Sequence, residues 1–414
     1  NKTIQAAHDA QEVMQLLQIK QQTLYAYASR GLLRKTSGPE AKRSLYASED
    51  VQRLLQRQQE RNPPTPPAGA PALSTAPASA AIHSAITEIG SDGLRYRGRD
   101  VRLLAAYPAC IENVAELLWF GLLPDEPVIW DYDAIPANLE ASVASLQRSD
   151  GKVSFLRAIA NASLVLGEST GNELRQGNTA RLARRLVMTY AGCLGYLREK
   201  GSFFRPEPEE SLVALALRAL GAPANSQTEA ALNAALIWCA DHELSAPAYT
   251  ARVIASTGAG LHACLIGAIS AHSGGMAGGG CDRAEEFILS RPSPQRMREM
   301  IDATQHGARL PGFGHVLYPL GDPRATAMLD IAKRLAAPKA LESILAMQDM
   351  AQTEAGLQPS LELGLVAIAQ ALNLPRRSAA NLWAVARSIG WVAHVIEQRL
   401  SGHTIRPRAR RAGG

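Results

Sequence analysis

Along most of this chain apolar residues return at every third or fourth position, and that period limits what it can fold into. The segments "IENVAELLWFGLLP", "VSFLRAIANASLVLG", "RLARRLVMTYAGCLGYL", "EAALNAALIWCADHEL" and "ANLWAVARSIGWVAHVIEQRL" each carry apolar side chains at i, i+3, i+4 and i+7 over three or more turns. Abundant Ala and Leu, with only 5% aromatic residues, favour close packing of the helices so predicted. One stretch departs from the period. "AIHSAITEIGSDGLRYRGRDV" holds two β-like runs around Ser91, Asp92 and Gly93, a hairpin signal. Strands do not alternate with helices, which excludes a Rossmann-like parallel sheet. The expected fold class is all-α, with a short β-hairpin at the start of the main body.

A Pro/Ala/Ser-rich stretch, "NPPTPPAGAPALSTAPASAA", lacks charge and lacks helical periodicity, so it reads as a linker, semi-rigid at its proline end. It divides the 414 residues into a unit of residues 1–60, a linker of residues 61–81 and a body of residues 82–414. Hydrophobic content of 46% and charge of 20% argue against wholesale disorder. The five cysteines are scattered without a CxxC pair, so neither a metal site nor a disulfide framework is expected. No apolar run reaches the roughly 18 residues of a bilayer span, and no secretory signal is evident. The expectation is a cytoplasmic protein with no membrane partner.

The formal net charge is +5, with basic residues clustered in the first 60 positions and in the tail "IRPRARR". Such asymmetry suggests polyanionic partners. The first unit reads as helix, tight turn, helix, basic loop and helix, with Asp9 and Ser48 as N-caps and a hairpin in "RKTSGPEAKRSLY". Residues 9–57 resemble the winged helix-turn-helix of the MerR and excisionase type. That resemblance implies double-stranded DNA as partner, read by Lys20, Gln21, Gln22, Thr23 and Tyr25 on the second helix. Arg34, Lys35, Lys42 and Arg43 on the wing would contact phosphates. An interaction module without DNA binding is the alternative.

In the body, four stretches concentrate unusual residues. "ADHELSAPAYTARV" sets His242 and Glu243 at a helix end near Arg252. "AHSGGMAGGG" is a glycine loop; no strand precedes it and no Lys-Ser/Thr follows, so it is not a phosphate-cradling loop. "LPGFGHVLYPLGDPRA" carries His315 nine residues before Arg324. The last apolar helix holds Arg387, with Arg406 beyond it. Arginines in apolar surroundings require anionic partners, and guanidinium forks suit carboxylates. With the histidines as donors to a keto oxygen, the set suggests a pocket for a small polycarboxylate.

At these residues the chain resembles the citrate synthase family. The collinear stretches are "GLRYRGRDV", "ELLWFGLLP", "DHELSAPAYTARVIAST", "GFGHVLYPLGDPRA", "ARSIGWVAHVIEQ" and "IRPRAR", spanning residues 82–411. The resemblance implies an all-helical homodimer. Each subunit has a large domain (residues 82–270 and 375–414) and a small domain (about 271–374) that closes over a 2-oxo dicarboxylate and admits acetyl-CoA. It implies His242, His315, Arg324 and Arg387 as ligands of the acid, with Arg406 donated across the dimer. Acetyl-CoA or another acyl-CoA would be a co-substrate, and no cofactor is bound permanently.

The catalytic positions depart from the family pattern. Ala277 stands where the family has its enol-stabilising histidine, and Glu362 where it has the aspartate base. His272 lies five residues before the substituted position and would need a change of loop geometry to replace that histidine. After His315, Val316 and Pro319 stand where basic residues would meet CoA phosphates, leaving Arg408, Arg410 and Arg411 as candidates. Two readings remain open: an acyl-CoA condensing enzyme with altered catalytic residues, and a carboxylate-sensing, DNA-binding regulator built on a former enzyme.

Overall fold

A computed structural model describes the N-terminal residues 7–17, 35–37 and 44–47 with the single positions 21, 24, 28, 33 and 51. It also describes residues 82–406 apart from 91–92, 107–108, 148–152, 172, 306–307 and 337. The chain divides into two compact units, Asn1–Ala80 and Ala81–Gly414.

In the first unit, the strand Ser44–Ala47 pairs antiparallel with both Ala7–Asp9 and Lys35–Ser37. The register sets Lys35 opposite Tyr46 and Ser37 opposite Ser44, so the hairpin expected over the basic loop forms. Asp9, expected only as a helix cap, also closes a strand, directly before the helix Ala10–Leu17. Val13, Leu24, Leu33, Tyr46 and Val51 are buried together as a small separate core. Gln21, Leu24, Ala28 and Val51 are helical; the rest of the second and third expected helices lies outside the described residues.

The second unit is helical around one long central helix, Ser378–Ser401. From Ser378 to Val395 it is buried on nearly every side, as a sequence with apolar residues on every face of the helix favours. The helices Ile111–Phe120, Thr179–Cys193, Ser226–Cys239, Ala246–Ala255, Leu261–His272 and Leu361–Ala371 all pack against it. Trp119 Nε1 donates to the Ile389 carbonyl at 2.9 Å, which ties the first of these to its middle. The expected hairpin appears as Thr87–Gly90 paired with Gly93–Tyr96. A third strand, Arg99–Asp100, extends the sheet through a tight turn in which Arg97 (φ 49°) and Gly98 (φ 78°) both have positive φ. Such turns usually announce themselves as Asn-Gly or Asp-Gly, and Arg-Gly hides this one.

One close approach positions the site. The Gly390 N–H donates to the Ala240 carbonyl at 3.1 Å. A Cβ at residue 390 would stand 2.3 Å from Asp241 Oδ1 and 2.4 Å from the Ala240 carbonyl oxygen. Only glycine lets the end of Ser226–Cys239 rest on the central helix. Asp241, completely buried, is also held by the Thr87 hydroxyl and by the Tyr96 hydroxyl, which donates to its carbonyl at 3.1 Å. We expect Gly390→Ala to lower the unfolding free energy by about 1–3 kcal/mol, as overpacking does; urea unfolding measures it.

Candidate active site

A cavity of about 530 Å³ gathers the chemically active side chains of the body. Asp322 organises one wall. It caps the helix Pro323–Leu335 by accepting from the Arg324 N–H at 3.0 Å. It also grips the Arg324 guanidinium with two hydrogen bonds, 2.9 Å to Nε and 2.7 Å to Nη2. The same carboxylate accepts from the Leu361 N–H at 3.2 Å, fixing the start of Leu361–Ala371, whose second residue is Glu362. Ser360 Oγ donates to Glu362 Oε2 at 2.5 Å.

His242 follows the end of Ser226–Cys239, and His315 sits in the Gly-rich turn before Pro323–Leu335. Their rings meet edge to face with centroids 5.4 Å apart. His242 Nε2 lies 3.0 Å from the Tyr318 hydroxyl, and the Arg324 guanidinium lies 5.3 Å over the Tyr318 ring. His315 Nδ1 accepts from the Leu317 N–H at 3.2 Å, so its neutral ring carries the proton on Nε2, free to donate. Burial, then Arg324, Arg387 and His315, hold His242 well below the usual imidazole range. Burial and Arg324 also lower His315. Both are neutral near pH 7.

Arg387, in the middle of Ser378–Ser401, is 3% exposed. Its Nε has no hydrogen-bond partner, and among the described residues no carboxylate pairs with it; the Trp383 ring, 5.7 Å away, is its neighbour. A buried guanidinium in that state favours an anion strongly. The glycine loop between Leu261–His272 and Gly279–Leu289 also reaches the cavity. Ala277 lines the cavity there, and so does His272, whose burial first and Arg387 second push its imidazole down to about 3.

His242, His315, Arg324, Arg387, Ala277 and Glu362 therefore share one cavity. Arg406 is exposed and is not part of its lining, while Arg408 and Arg410 lie outside the described residues. Arg252 is not in the cavity. It is buried in an internal network with Glu397, His394 Nδ1 (2.9 Å) and Ser84 (3.2 Å). Of the positions expected to read DNA, Gln21 is helical and exposed and Lys35 lies in a strand; Lys20, Gln22, Thr23, Tyr25, Arg34, Lys42 and Arg43 are outside the described residues. Sequence reasoning missed Tyr318, Asp322, Trp383 and the exposed Arg309 at the cavity mouth. Only Asp322 carried a signal, the Asp-Pro pair that opens a helix.

The body has the fold of citrate synthases. It is similar to the Thermoplasma acidophilum enzyme solved as a ternary complex with carboxymethyl coenzyme A and oxaloacetate, with TM-score 0.69 and 24% identity, over 80% of this chain and 94% of that one. The citrate synthase of Thermotoga maritima MSB8 gives a TM-score of 0.65 at 25% identity, over 80% of this chain and 93% of that one. Residues 77–408 match the family model for the citrate synthase C-terminal domain, and the chain belongs to the citrate synthase family. Among curated relatives it is 28% identical to Citrate synthase 2 of Bacillus subtilis, over 80% of this chain and 92% of that protein. It is 26% identical to the 2-methylcitrate synthase of Shewanella oneidensis, over 78% of this chain and 89% of that protein. Among the described residues no helix is long and apolar enough to cross a membrane, and no cluster of His, Cys, Asp and Glu could hold a metal.

The depressed histidines make stability depend on pH. Each binds its proton more readily in the unfolded chain, so their contribution is complete above the ordinary imidazole pKa of about 6.5 and is lost as pH falls below it. For His272 the loss continues towards about 3. We expect His272→Leu to flatten the fall in unfolding free energy between about pH 6.5 and 5, by up to about 1.4 kcal/mol per pH unit. Urea unfolding across that range measures it.

Proposed function

We propose that the body binds a 2-oxo dicarboxylate, oxaloacetate or a close analogue, and condenses it with the acyl group of a coenzyme A thioester to form citrate or its methylated homologue. The observation that carries this reading is the buried Arg387 guanidinium, whose Nε is unpartnered and which forms no ion pair among the described residues, beside Arg324 and two neutral imidazoles. Arg387 and Arg324 hold the carboxylates, and His315 Nε2–H donates to the keto oxygen. Glu362 removes a proton from the acyl α-carbon, which then bonds to the keto carbon; that oxygen takes a proton from His315, and water cleaves the thioester. Arg309 is the cation at the mouth available to the coenzyme phosphates. The exposed Arg406 completes the acid site of a second copy in a homodimer. Similarity to both a citrate and a 2-methylcitrate synthase supports an acetyl group or one a methylene longer.

Two substitutions set the rate. With alanine for the family histidine at 277, the loop itself supplies no donor to the enolate, and such a donor is worth on the order of 10²–10³ in rate. With glutamate for aspartate at 362, the base is displaced by a methylene, and a displacement of about 1 Å can cost roughly 100-fold. Calorimetric titration with oxaloacetate, followed by release of free CoA from acetyl- and propionyl-CoA, tests the reading. We expect slow turnover that Glu362→Gln lowers by at least about 10²-fold with oxaloacetate affinity kept. Arg387→Leu abolishes oxaloacetate binding. Tight oxaloacetate binding with no CoA release from either thioester would refute condensation.

The first unit, with its own core and its paired basic hairpin, supports a second reading, in which the acid site regulates DNA binding. A gel-shift titration against double-stranded DNA with and without oxaloacetate or citrate tests it. Affinity that shifts with the acid supports the regulator, whereas binding indifferent to the acid, or absent, counts against it.

A further inference from the structure

We propose that His272 is the donor to the acyl carbonyl oxygen, doing from the end of the preceding helix what residue 277 cannot do from the loop. This rests on the condensation reading above.

His272 is the last residue of Leu261–His272 and is 2% exposed, yet it forms part of the cavity wall. Its Nε2 is buried and has no hydrogen-bond partner. A buried ring nitrogen left unpaired costs free energy unless a ligand satisfies it. The ring is held by aromatic contacts, edge-on to Trp383 at 5.1 Å and to Trp391 at 5.5 Å between centroids. Trp383 Nε1 and Arg387 Nε are likewise unpartnered, so three neighbouring nitrogens at this end of the cavity lack a hydrogen-bond partner.

The loop is shaped around the imidazole. The Gly278 N–H donates to the His272 carbonyl at 2.9 Å, folding the loop back over the residue. A Cβ at 278 would lie 2.5 Å from His272 Nε2, so glycine there leaves that nitrogen directly under the backbone beside Ala277. Two residues on, a Cβ at Gly280 would lie 3.0 Å from Glu362 Oε1. Imidazole and carboxylate thus both lie close to the same short loop. As the Glu362 carboxylate takes the acyl α-proton, the C–H electron pair becomes the C=C bond and the carbonyl π pair moves onto oxygen. His272 Nε2–H hydrogen-bonds that oxygen and keeps its proton, as a neutral imidazole does.

The test compares wild type, His272→Ala, His272→Gln and the double variant H272A/A277H. The readouts are CoA release with saturating oxaloacetate and oxaloacetate affinity by calorimetry. We expect His272→Ala to lower kcat by about 10²–10³ with oxaloacetate affinity unchanged. His272→Gln, which keeps an Nε2–H donor, should recover part of that loss, and so should H272A/A277H, which returns an imidazole from the loop. A wild-type turnover that His272→Ala leaves within about threefold overturns the inference while condensation stands. Equal losses in the Ala and Gln variants together with weakened oxaloacetate binding mark His272 as a packing residue and overturn it as well. A wild type that binds oxaloacetate but releases no CoA overturns condensation and this inference together.

Discussion

The buried guanidinium of Arg387 is the constraint around which the site is arranged. Other arginines in this body find their compensation inside the protein. Arg324 has Asp322, Arg252 has Glu397, and Arg399 has Glu173 at 2.8 Å. Arg185, also buried, donates to the Ser169 and Thr170 hydroxyls and to the Ala134 carbonyl. Arg387 has an aromatic face and a cavity. Its field also falls on the imidazoles of His242 and His272, which stay neutral beside it. A cavity with fixed guanidiniums and neutral donors meets an anion without first having to release protons, which is what preorganisation means electrostatically.

That arrangement depends on a buried scaffold behind it. Asp241 precedes His242 and is held by the Thr87 hydroxyl and by Tyr96, while its neighbour Ala240 accepts from Gly390 of the central helix. His394 Nε2 lies 3.2 Å from Asp241 Oδ1, and its Nδ1 accepts from Arg252, which fixes the proton on the nitrogen facing the carboxylate. The chain from Glu397 through Arg252 and His394 to Asp241 links the small sheet to the end of Ser226–Cys239. On the opposite wall Asp322 does similar work, since one carboxylate caps a helix, pairs with Arg324 and holds the start of the helix that carries Glu362. Each of these two walls is thus fixed by a buried acid that does not itself line the cavity.

Much of the candidate site was legible because its residues sit in short, dense stretches. His315, Arg324 and the glycine turns share a segment of about a dozen residues, and Arg387 stands within a largely apolar helix. What escaped were residues whose role lies in contacts across the fold. Arg252 reads as a site arginine from its nearness to His242 in sequence, but the helix Ala246–Ala255 points it at Glu397 and His394. Tyr318 and Trp383 look like ordinary core aromatics until they stand against His242 and Arg387.

The sequence by itself determined the helical class, the hairpin that opens the body, the division near the proline-rich stretch and the chemical character of the pocket, because periodicity, turn residues and composition are local properties. Only the tertiary structure decided which cations are neutralised internally, which imidazole nitrogens are left without partners, and that the His272 ring and the Glu362 carboxylate both lie close to the glycine loop. Those outcomes depend on distances between segments far apart in the chain, and spacing along a sequence carries no record of them.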